Sequence, residues 1–100
     1  MSTETYKLPW LQSTSDFANS QDVVAIINGT QTTLVSDQLM NVAEIQYDFP
    51  TDAAVEWWVV THHQNGTDKV LSAHAIFVAT NKAPLVAAVL GVPTWVKHNP

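Results

Sequence analysis

Two Asn-Gly dipeptides, Asn28-Gly29 and Asn65-Gly66, each stand between runs rich in Val, Ile, Thr and Trp. A type I′ turn needs positive φ at both central positions, and Asn and Gly tolerate it best. Asn-Gly between apolar runs is therefore the strongest short hairpin signal a sequence carries. The first hairpin is expected in DVVAIINGTQTTLV, residues 22–35, and the second, longer one in AAVEWWVVTHHQNGTDKVLSAHAIFVAT, residues 53–80. Between them VAEIQYDF, residues 42–49, alternates: Ala43, Ile45, Tyr47 and Phe49 share one face, Glu44, Gln46 and Asp48 the other. That is the period of a half-exposed strand, and Pro50-Thr51-Asp52 ends it.

The flanks are less strongly patterned. Residues 1–21 have no sustained periodicity and read as an extended lead-in, with Leu8, Trp10, Leu11 and Phe17 as anchors, before a single domain over residues 22–100. In KAPLVAAVLGVP, residues 82–93, Pro84 suits the first helical position and Gly91 the C-terminal cap. A short apolar helix is expected there, a buried strand being the other reading of so short a run. The expected class is α+β: an antiparallel β-meander of about five strands with one short C-terminal helix packed on it.

Composition narrows the function. Nine acidic residues face four lysines and no arginine, for a net charge of −5. Nucleic acid, whose phosphates are held by Lys and Arg clusters, is excluded as a partner, and the bidentate clamp for anionic ligands is missing. With no cysteine there is no disulfide, thiolate metal site or cysteine nucleophile. Only three glycines are present, and no phosphate-cradling loop or GxSxG elbow occurs. No cofactor is expected. No apolar run nears the ~20 residues that span a bilayer, and MSTETYKLPW lacks a basic region followed by an apolar stretch. No membrane partner is expected, and the cytoplasm is the expected compartment.

Writing out the register of the long hairpin sharpens its candidates. A two-residue Asn65-Gly66 turn pairs Gln64 with Thr67, then His63 with Asp68, Thr61 with Val70, Trp57 with His74 and Val55 with Ile76. His62 and His63 point to opposite faces, and His74 lies roughly 20 Å along the ladder from His63, so these histidines share no metal ion. In this register His74 and Glu56 fall on opposite faces and make no acid–base site. Both Asn-Gly-Thr sequons coincide with turns that already require Asn-Gly.

Both faces of this hairpin are apolar through the middle, whereas an antiparallel sheet commonly leaves one face wet. Trp57 and Trp58, being adjacent, face opposite ways. One belongs in a core and the other at an interface or packed under the helix. The expected function is thus a non-catalytic interaction or assembly module, a homo-oligomer or docking to a protein partner, with Trp57, Trp58, Val60, His74 and Tyr47 as candidate binding residues. The alternative is a small-molecule binder or minor enzyme, with a pocket between sheet and helix lined by His74, Trp57 and Tyr47.

Overall fold

In a computed structural model, residues 2–81 and 94–100 are described. They form eight strand segments and no helix. The strands are β1 (Thr3–Pro9), β2 (Ala18–Ile27), β3 (Thr30–Gln38), β4 (Glu44–Pro50), β5 (Ala54–His63), β6 (Lys69–Leu71), β7 (Ala75–Val78) and β8 (Thr94–Asn99). One sheet has three strands in the order β4-β1-β8. The other runs β3-β2-β5, with β6 and β7 lying end to end along the far edge of β5.

This corrects the expected α+β class: the described residues are an all-β, two-sheet structure. The helix expected at residues 84–91 lies outside the described residues. The single five-strand meander is also wrong. β4 does not join its sequence neighbours but pairs with β1, and β2 pairs directly with β5, two strands further along the chain than its hairpin partner β3. Strand propensity is a local property, whereas the partner is chosen by which apolar faces can be buried together.

The residues before position 22 show this. Glu4, Tyr6 and Leu8 alternate with Thr3, Thr5 and Lys7, and β1 is the middle strand of its sheet. Tyr6, Leu8 and Phe49 of the small sheet meet Val23, Ala25, Val55, Trp57, Val59 and Phe77 of the large one in a shared core. Its centre is aromatic. Phe77 meets Tyr6 at 5.0 Å between ring centroids and Phe49 edge-on at 5.5 Å, geometries that aromatic quadrupoles favour. The Tyr6 hydroxyl donates to the Thr80 carbonyl at 2.7 Å; burial, the largest influence on it, pushes the phenol above its usual range.

Buried Gln21 closes one end. It accepts from Trp10 Nε1 at 3.1 Å and donates to the carbonyls of Leu39 and Val42 at 2.9 and 2.6 Å. The β3–β4 crossing is thereby held on the core, and a buried polar group is satisfied.

The two Asn-Gly turns differ. Asn28 (φ 50°) and Gly29 (φ 87°) both have positive φ, and Ile27 pairs with Thr30, as the type I′ reading requires. Asn28 Oδ1 also accepts the Ala54 amide at 2.9 Å, tying the turn to the start of β5. At the second turn only Gly66 is positive, at φ 78°. There the His63 carbonyl accepts the Gly66 amide at 3.0 Å, and the His63 amide donates to the Asp68 carbonyl at 2.8 Å. The loop is longer than two residues, because Asn65 Oδ1 accepts the amides of Thr67 and Asp68 and thereby stabilises a wider turn. His63 still faces Asp68, so the register survives into β6, where Thr61 pairs with Val70.

Candidate interaction surface

Beyond Leu71 that register breaks. Val60 pairs with Leu71, but Trp57 pairs with Ala75, so Ser72, Ala73 and His74 stand opposite only Val59 and Trp58. One extra residue on one strand is a β-bulge. Ser72 fills part of the gap: its amide donates to the Val59 carbonyl and its Oγ accepts the Val59 amide, both at 2.9 Å.

Because side chains alternate with period 2, a one-residue slip exchanges the faces of everything beyond it. The unbroken register directs Ile76 inward opposite Val55 and Phe77 outward. In the structure Phe77 pairs with Val55 and enters the core, while Ile76 pairs with Glu56 and points out. The large ring fills the space between Tyr6 and Phe49, and the smaller aliphatic residue is left outside.

The same slip overturns the separation of Glu56 from His74. His74 Nδ1 lies 2.5 Å from Glu56 Oε2, and its ring stacks on Trp58 with centroids 4.1 Å apart and planes 11° from parallel. Trp58, Val24 and Val60 form a second apolar cluster with Ile26 on the outer face of the large sheet. His74 acts as a lid on the tryptophan, and Glu56 holds the lid. At the far end of this face His62 Nε2 lies 2.9 Å from Asp22 Oδ2.

Trp58, Val60 and His74 therefore share one surface. Trp57 is fully buried in the core between the sheets, with its Nε1–H lacking a hydrogen-bond partner. Tyr47 belongs to the other sheet and packs against Phe49 at 4.9 Å. His74, Trp57 and Tyr47 do not line one pocket, because His74 lies on the outer face of the large sheet while Trp57 and Tyr47 face the core between the sheets.

Ile76 is 65% exposed, Leu71 49% and Val78 46%. They continue the outer cluster to the edge of β7 that no other described strand pairs. There an open groove of about 480 Å³ is lined by Ile26, Gly29, Ala54, Glu56, Ile76 and Val78. The outer face of the small sheet is the opposite in character: Thr5 donates to Asp48 at 2.5 Å and accepts from Asn99 at 2.9 Å. One outer face is polar and hydrogen-bonded, the other apolar.

The histidines do not converge. His63 stacks on Phe17 at 5.6 Å and its Nδ1 accepts the Asn65 amide at 2.9 Å, on the side away from His62. Among the described residues no group of three or more His, Asp or Glu side chains is placed to hold a metal ion.

One polar site escaped the sequence reading. Glu4 is fully buried; its Oε2 accepts from Thr51 Oγ1 at 2.8 Å and also meets His98 Nδ1, and its Oε1 accepts from Trp95 Nε1 at 3.2 Å. Burial pushes the carboxyl up, but the hydrogen bonds from His98, Thr51 and Trp95 and the His98 charge outweigh it and hold the group below its usual range. The cluster fastens β8 to β1. Its signal was present in the sequence: Glu4 is in phase with Tyr6, Leu8 and Trp10, so a strand that buries those residues buries the carboxylate too. Among the described residues no helix is long and apolar enough to cross a membrane. No protein-family model, curated protein or solved structure matches this chain.

Proposed function

We propose that this protein is a non-catalytic assembly module that self-associates through the outer face of its large sheet, at the β7 end of the long hairpin. The observation that carries this reading is the continuity of that face. Val24, Trp58 and Val60 are already packed together, and Ile76, Val78 and Leu71 extend them as exposed residues. Single exposed apolar residues are ordinary, but a contiguous patch rimmed by polar groups marks an interaction surface. The polar rim is present in Asp22–His62 at one end and Glu56–His74 beside the groove.

Sedimentation velocity and light scattering over a wide concentration range test the proposal. A reversible dimer or larger species is expected, and Ile76→Lys should abolish it while leaving the melting temperature of the fold in place, because that side chain lies in solvent. A species that stays monomeric at every concentration overturns the reading.

A further inference from the structure

Among the described residues, the open edges of the two sheets are not alike. β4 carries Glu44, Asp48 and Pro50, and β8 carries Lys97 and His98 behind a shifted register against β1. β3 meets β2 through two register shifts and holds Asp37 at φ 56°. Charges, proline, bulges and twisted backbone are the devices that keep an edge strand from pairing with another chain. β6 has Lys69, but β7, Ala-Ile-Phe-Val, has no charge, no proline and no shift within its pairing to β5.

From this contrast we infer that β7 is the joining edge, and that its partner is the β7 strand of a second copy, paired antiparallel about a two-fold axis with Ile76 opposite Val78. The inference rests on the self-association proposed above and adds its geometry.

The Ala79 amide donates to the Ala53 carbonyl at 2.9 Å. By the alternation of an antiparallel ladder, Ala75 and Phe77 also turn their amides and carbonyls to β5, and Ile76 and Val78 turn theirs to the free edge. The Val78 carbonyl already accepts the Thr80 amide at 2.8 Å and keeps one lone pair for a partner, so the Ile76 amide and carbonyl and the Val78 amide are the main groups that a further strand would take. Charge favours a like strand over a charged peptide: the one carboxylate beside the groove, Glu56, already has His74 as its partner. The β7 strand itself has no charged side chain, so two copies meet there without like-charge repulsion on a chain that carries −5 overall.

The register follows from the faces. An odd offset sets outward side chains of one copy against inward ones of the other, and is excluded by the alternation. Ile76 opposite its own equivalent leaves Val78 facing His74. Ile76 opposite Val78 instead makes two hydrogen-bonded pairs and one row of four apolar side chains, with Phe77 facing Phe77 so that the two cores meet. Such an isologous contact closes at two copies.

The absence of cysteine from the chain permits a direct test by disulfide trapping in the full-length protein. Directly opposite positions have Cα atoms about 5.5 Å apart, within disulfide reach, whereas diagonal ones at about 7–8 Å are beyond it. Under oxidation, a mixture of I76C and V78C chains should give a covalent dimer that neither variant gives alone. Cross-linking of I76C alone overturns the register. An oligomer that persists with no cross-link in any combination overturns edge pairing while leaving self-association standing. A monomer at all concentrations overturns both. Circular dichroism of each variant checks that the fold is kept.

Discussion

Trp57 and Trp58 are chemically identical neighbours with different tasks. Trp57 is sealed between the sheets, so Trp57→Ala should cost about 3–5 kcal/mol in denaturant unfolding. Its buried Nε1–H lacks an acceptor, and an unsatisfied buried donor costs about 1–3 kcal/mol. Trp57→Phe should therefore be much milder than the loss of ring volume alone implies. A phenylalanine variant as unstable as the alanine one would contradict this. Glu4 gives a pH-dependent prediction. Its folded-state pKa is depressed, so its contribution is present above the unfolded carboxylate range and is lost as pH falls through the folded value. The stability gap between the native chain and Glu4→Gln should be widest near neutral pH and close in acid, as read by denaturation midpoints across pH. At this scale the sequence was partly legible. That adjacent tryptophans face opposite ways follows from strand alternation, but which one enters the inter-sheet core and which the outer cluster does not.

At the scale of the element, turns and bulge behave differently. The Asn28-Gly29 turn was readable because its chemistry is local: two positive φ angles in two residues that tolerate them. Gly29→Ala forces an L side chain into the left-handed region and should cost about 1–2 kcal/mol, measured as a shift in thermal or urea unfolding. The second Asn-Gly had the same two letters and formed a wider loop, because Asn65 spends its side chain on the amides of Thr67 and Asp68. The bulge at Ser72–His74 had no local signal. From Leu71 to Ala79 apolar residues occupy both phases of the alternation, so a slip of one residue changes no pattern. Ser72→Ala should leave the Val59 amide without its 2.9 Å acceptor and destabilise the hairpin by about 1–3 kcal/mol. Faster amide exchange at Val59 in this variant is the specific readout.

At the scale of the whole molecule, the two outer faces contrast, and the proposed self-association rests on that contrast. The small sheet turns Thr5, Asp48 and Asn99 outward in a hydrogen-bonded group, and the large sheet turns out Ile76, Val78 and Leu71. If β7 pairs with its copy, the Ile76 and Val78 amides pass from solvent into a ladder. Their hydrogen-exchange protection should rise with protein concentration, while protection across β1 and β4 stays constant. Protection at Ile76 that does not depend on concentration would remove β7 from the interface.

Sequence alone determined what is local: β structure through the alternation of residues 42–49, the Asn28 turn, the opposed tryptophans, and an apolar surplus on the long hairpin larger than one buried face accounts for. Tertiary structure decided the partners. Alternation states which residues share a face but not which strand lies alongside, so β4 could look like the middle of a meander while pairing with β1. The bulge was settled by the core, where the space beside Tyr6 and Phe49 takes the ring of Phe77 and turns Ile76 out to the free edge. Close packing of that interior thus fixes what the surface presents, and packing is a property of the folded whole that no stretch of the chain encodes by itself.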